Sequence, residues 1–86
     1  MQNTFSRSFN LNETTQKKFY FVPEKSNGVL KYLVHINNDA EVKKFTLEEE
    51  NGAWKIKDQK VKLPEWLFSF EGQFTEKIKE AQALQN

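Results

Sequence analysis

Asn51-Gly52-Ala53-Trp54-Lys55-Ile56, followed after a polar stretch by Leu63-Pro64-Glu65-Trp66-Leu67-Phe68-Ser69-Phe70, is where this chain turns from strand to helix. Asn-Gly suits the two central positions of a type I′ turn, both of which need positive φ. Centring a hairpin on it pairs Leu47 with Ile56 and Glu49 with Trp54 on one face, and Glu48 with Lys55 on the other. A one-residue slip would send every side chain to the wrong face. Pro64 suits the first helical position, where its missing N–H costs nothing, and Glu65 complements the positive end of the helix. At about 100° per residue, Trp66, Leu67, Phe70, Phe74, Ile78, Ala81 and Leu84 then form one apolar stripe.

Upstream of this stretch the sequence alternates. Phe5, Arg7, Phe9 and Leu11 share one face, and Phe19 and Phe21 lie opposite Lys18, Tyr20 and Val22. Leu30, Tyr32, Val34 and Ile36 form the longest apolar face, alternating with Val29, Lys31, Leu33 and His35, as a central strand would. Pro23 is expected to end its strand or mark an edge. Residues 24–28 and 37–40 read as turns. If Asn38-Asp39 is a two-residue loop, Tyr32 faces Phe45 and Leu30 faces Leu47.

The pattern predicts strands over about 5–11, 17–22, 29–37, 42–50 and 53–58 and a helix over about 64–83, in a single domain spanning 1–86. The fold class is α+β: a four- to five-stranded antiparallel meander packed on one C-terminal helix. Gly72, opposite the stripe, costs about 1 kcal/mol relative to Ala and is the candidate kink.

A chain of 86 residues buries only about 60–65% of its unfolded surface, so its core must be dense. Eight Phe, two Trp and two Tyr supply it. Without cysteine there is neither a disulfide nor a thiolate metal site. No apolar run approaches the ~20 residues that cross a bilayer, and residues 1–12 lack the apolar core of a signal peptide. The expectation is a cytoplasmic protein with no membrane partner. Asn12-Glu13-Thr14 matches the N-glycosylation pattern, but without a leader it is expected to be unused. Thirteen basic and twelve acidic residues nearly cancel, and Arg7 is the sole arginine, which argues against nucleic-acid binding.

No constellation for catalysis stands out. His35 is the only imidazole, it sits mid-strand, and no serine adjoins it. Within Glu48-Glu49-Glu50, neighbours point to opposite faces while Glu48 and Glu50 share one about 7 Å apart, which suits a solvated strand end balanced by Lys55 and Lys57. Asn37-Asn38-Asp39 lacks the continuation of a Ca²⁺ loop. The glycines stand singly at 28, 52 and 72, so no phosphate loop exists. Lys55, Lys57, Lys60 and Lys62 read as a solvated edge. The expectation is a non-enzyme with no catalytic, metal or cofactor-binding residues and no cofactor.

One surface needs a reason. A single helix covers one face of the sheet, and the other carries Tyr20, Val22, Leu33, His35 and Val42 among Lys18, Lys31 and Lys44, with Val29 and Thr46 nearby. These eight residues from Lys18 to Lys44 are the candidate interaction face, for a second copy or another protein. The alternative is single-stranded nucleic acid stacked on Tyr20 with lysine support. Phe68 falls about 140° from the helix stripe, and is expected either to tuck over the sheet edge from an irregular first turn or to join an interface.

The order Gly-x-Trp-Lys-Ile, then Leu-Pro-x-Trp-Leu, then a glutamate and a helical isoleucine, within residues 51–78, resembles small uncharacterised bacterial single-domain proteins with a β-meander and a C-terminal helix. The resemblance covers roughly residues 19–80 and implies the fold without an activity. Strands followed by one helix are also similar in topology to the PUR repeats of nucleic-acid-binding proteins, though none of their aromatic motifs is matched here.

Overall fold

The computed structural model describes residues 4–36, 44–57 and 63–84. Five antiparallel strands, β1 (Phe5–Asn10), β2 (Gln16–Ser26), β3 (Val29–Ile36), β4 (Lys44–Glu50) and β5 (Ala53–Ile56), lie side by side in chain order. Two helical segments follow, α1 (Glu65–Phe68) and α2 (Glu71–Leu84). The sheet is curled, and the fold is the α+β meander with a C-terminal helix that the alternation predicts.

Turn chemistry sets two of the registers. Asn51 and Gly52 take φ of 54° and 85°, and the strands they join pair Leu47 with Ile56, Glu48 with Lys55 and Glu49 with Trp54. Asn27 and Gly28 do the same at 54° and 79°, so β2 runs on to Ser26 instead of turning at Glu24. Pro23 does not end the strand; it pairs with Tyr32. The last described β1 pair is Phe5 with Phe21, and Pro23 lies beyond it.

Between β3 and β4 the pairing differs from the prediction. Tyr32 lies opposite Leu47 and Val34 opposite Phe45, two residues from the register that an Asn38-Asp39 loop would impose. A slip of two leaves every side chain on its own face, so hydrophobic alternation cannot distinguish the two registers. The observed one sets Lys31 opposite Glu48, 3.6 Å apart, and Tyr32 edge-on to Trp54 at 5.1 Å. Residues 37–43 and 58–62, including Val42, Lys60 and Lys62, lie outside the described residues.

The inner face fills with aromatic rings. Phe74 of α2 stands 5.5 Å from the rings of Phe9 and Phe19, 5.9 Å from Phe21 and 5.7 Å from Phe45, so β1, β2 and β4 all bend around it. Tyr32, Val34, Ile36, Leu47, Trp54, Ile56, Leu67, Phe70 and Ile78 belong to the same buried cluster. The Trp54 indole N–H is buried without a hydrogen-bond partner among the described residues.

Two edge strands would ordinarily leave backbone groups free to pair with other chains. At β5 the Trp54 N–H donates to Thr75 Oγ1 and the Ile56 N–H to Glu71 Oε2, both at 2.8 Å. Four helical residues rise about 6 Å and two strand residues about 6.7 Å, so side chains one turn apart on α2 stand where the carbonyls of a sixth strand would. At β1, Arg7 points inward: its guanidinium lies 5.2 Å from the Phe5 ring centroid and donates to the Ser6 carbonyl at 2.7 Å. A charge turned inward on an edge strand resists pairing with another strand.

The predicted continuous helix is broken, and the break is at Ser69-Phe70 and not at Gly72. Ser69 Oγ donates to the Trp66 carbonyl at 2.6 Å, while the Ser69 and Phe70 N–H groups bond three residues back, to Trp66 and Leu67. A serine hydroxyl competing for the backbone tightens this turn and ends α1 after one turn. The offset buries both Leu67 and Phe70. It leaves Phe68 45% exposed, so Phe68 does not tuck over the sheet edge. Leu84 is 80% exposed and Trp66 half-buried, so the stripe narrows at both ends.

Thr75→Val keeps the side-chain shape and removes the acceptor for Trp54, so urea unfolding should show a loss of about 1–3 kcal/mol. Gly72→Ala, where an added Cβ meets nothing within 4 Å, should instead raise stability by about 0.5–1 kcal/mol. Burial raises the Tyr32 phenol above its ordinary 10.0, partly offset by a hydrogen bond with Gln82. The folded state therefore holds this proton longer than the unfolded one. Its contribution is complete below pH 10.0 and fades as pH rises through the folded value, so Tyr32→Phe should unfold with a shallower alkaline dependence than wild type.

Candidate interaction face

Strand pairing arranges the outward side chains in three rows across the sheet. The first runs Ser6, Tyr20, His35, Lys44. The second, one pleat repeat along, is Val22, Leu33, Thr46, and the third is Glu24, Lys31, Glu48, Lys55. Tyr20, Val22, Leu33, His35 and Lys31 are therefore brought together on one surface with Lys18 and Lys44, as the alternation predicts. Val42 lies outside the described residues, and Val29, 52% exposed, sits apart at the tip of the β2–β3 hairpin.

The central row is apolar at Val22 and Leu33, which are half-buried by their neighbours in the sheet and covered by no other element among the described residues. Its two flanks differ in charge. On one, the Tyr20 and His35 rings stack at 5.1 Å and 29°, Lys18 Nζ lies 5.6 Å from the Tyr20 ring, and Lys44 stands beside His35. On the other the signs alternate. Glu24 faces Lys31, Lys31 bridges Glu48 at 3.6 Å, and Lys55, in register with Glu48, reaches Glu71 of α2 at 3.8 Å. Beyond this row Lys57 pairs with Glu50, which lowers the Glu50 carboxyl and raises the Lys57 amine from their ordinary values.

This chemistry is suited to contact. His35 is flanked by a phenol and an amine, with no carboxylate in its row to orient it as a base. Glu48 and Glu50 share a face, yet each is held by its own lysine and they do not converge. Among the described residues, no three His, Asp or Glu side chains gather as a metal site would require. The Tyr20 ring is engaged by His35 and Lys18, which reduces the π surface open to a stacked base.

Glu48 is placed on the outward side by its pairing with Lys55, but Glu24 is not legible as a member of this face if its strand ends at Pro23. The signal was present in Asn27-Gly28, a second type I′ dipeptide that extends the β2–β3 hairpin and sets Glu24 beside Lys31. Among the described residues, no helix is long and apolar enough to cross a membrane. No family model matches this chain, and no curated protein or solved structure does.

Proposed function

We propose that this protein is a non-enzymatic interaction module that binds a protein partner through the outer face of β2, β3 and β4, centred on Leu33. The observation that carries this reading is the in-register pair Val22–Leu33, an apolar centre that no other described element covers, while the inner face and both edges are engaged. The inner face is filled by α2, the β5 edge is bonded to Glu71 and Thr75, and the β1 edge carries the inward Arg7. Association through an edge would have to displace one of these. Association through the face displaces only water, with a gain of about 25 cal/mol for each Å² of apolar surface covered.

Sedimentation and amide NMR shift mapping from about 10 μM to about 1 mM test this, since 1 mM corresponds to a binding free energy near −4 kcal/mol. The expected result is concentration-dependent association whose shifts fall on the outward residues of β2–β4. In Leu33→Lys the association is lost while fold stability stays within about 0.5 kcal/mol of wild type. Shifts centred on the β1 edge or α2, or identical behaviour of the two proteins at every concentration, would overturn the proposal. So would salt-sensitive binding of single-stranded oligonucleotides that Tyr20→Ala abolishes, because the face would then belong to nucleic acid.

A further inference from the structure

The charge pattern on this face narrows the partner. Resting on the reading above, we infer that the partner is a second copy of this chain, docked face to face about a two-fold axis along the Val22–Leu33–Thr46 row, at right angles to the strands. A two-fold contact requires a surface complementary to itself. If the strands of the two copies are to stay aligned, an axis in the plane of the contact runs either along them or across them, and the side chains discriminate between the two.

With the axis along β3, the strands β2 and β4 exchange places. Lys31 then meets its own copy and Glu24 meets Glu48 of the second copy, so like charges oppose on both lines. With the axis along the central row, each strand lies antiparallel over its own counterpart. A residue two positions before the row meets the residue two positions after it. Lys44 meets Glu48 of the second copy, twice by symmetry. The Tyr20 hydroxyl meets Glu24, to which it donates a hydrogen bond, and Leu33 meets Leu33 on the axis. His35 meets Lys31, whose charge is held by Glu48 at 3.6 Å.

Face-to-face sheets pack about 10 Å apart with strands within about 30°, an angle small enough to keep these partners within reach over one pleat repeat. The sheet curls toward Phe74, so the outer face is convex and contact is confined to β2, β3 and β4. Three strands about 4.8 Å apart and about seven residues long give a footprint of roughly 300–400 Å² per copy, well under the ~800 Å² of a standard interface. The dimer is weak and reversible, and its charged pairs choose orientation more than they set affinity.

Charge exchange at Lys44 and Glu48 tests the arrangement by sedimentation equilibrium. Lys44→Glu and Glu48→Lys should each weaken self-association at least about tenfold. An equimolar mixture of the two should recover it to within about threefold of wild type, because both contacts of the heterodimer again join opposite charges. The double variant carrying both changes should recover likewise. Lys44→Gln and Glu48→Gln, which remove a charge without reversing it, should each weaken association less than the reversals, and their mixture should recover only in part, because one of the heterodimer's two contacts again joins Lys44 with Glu48. A mixture of the charge-reversed proteins no tighter than its components overturns the two-fold arrangement. If Leu33→Lys still abolishes association in that case, the face stands and only the geometry falls. If Leu33→Lys has no effect, the face itself is wrong.

Discussion

The ring of Phe74 is the contact about which this domain closes. It touches Phe9, Phe19, Phe21 and Phe45, residues of three different strands, and those contacts are what curl the sheet. A chain of this size has room for few core side chains, so each must serve several elements at once. Aromatic pairs contribute about 0.5–1.5 kcal/mol each beyond the area they bury, and one ring with four such partners concentrates that effect on a single helical turn. The break between α1 and α2 follows from the same need. A regular helix from Pro64 would carry the stripe past the sheet, whereas the Ser69 turn lets Leu67 and Phe70 both reach the core.

Curling has a second consequence, at the sheet's boundaries. Because the sheet wraps the helix, α2 comes within hydrogen-bonding distance of β5, and Glu71 and Thr75 replace the missing strand there. The Thr75 hydroxyl is itself oriented, since it donates to the Glu71 carbonyl at 3.0 Å while accepting from Trp54. At β1 the inward guanidinium of Arg7 guards the edge. Among the described residues no element covers the convex face, where the row Val22, Leu33 and Thr46 runs between a basic flank and one of alternating sign.

Much of this was legible in the residues. The period-two alternation of Leu30, Tyr32, Val34 and Ile36 against Val29, Lys31, Leu33 and His35 assigned each side chain to its face, and the Asn51-Gly52 pairing follows from turn chemistry alone. The grouping of Tyr20, Val22, Leu33 and His35 on the outward face came from the same alternation. The extension of β2 past Pro23 is legible in Asn27-Gly28, whose positive φ values close the hairpin beyond Ser26. Helical periodicity already turned Phe68 away from the stripe, and it is exposed; the Ser69 turn makes the start of the helix irregular without folding Phe68 over the sheet edge.

By itself the sequence determined the properties that depend on parity or on a hairpin turn: which residues face inward and which outward, and where two hairpins close. Those follow from tetrahedral geometry at Cα and from the φ preferences of Asn and Gly, both local to a few residues. Only the tertiary structure decided the β3–β4 register, the helix break and the closing of the β5 edge. A shift of two residues conserves parity, and the partners that choose between the registers, Lys31 with Glu48 and Tyr32 with Trp54, lie 17 and 22 positions apart in the chain. The acceptors on α2 answer donors 15 and 21 residues away, a match between helical and strand spacing that exists only once the two elements lie side by side.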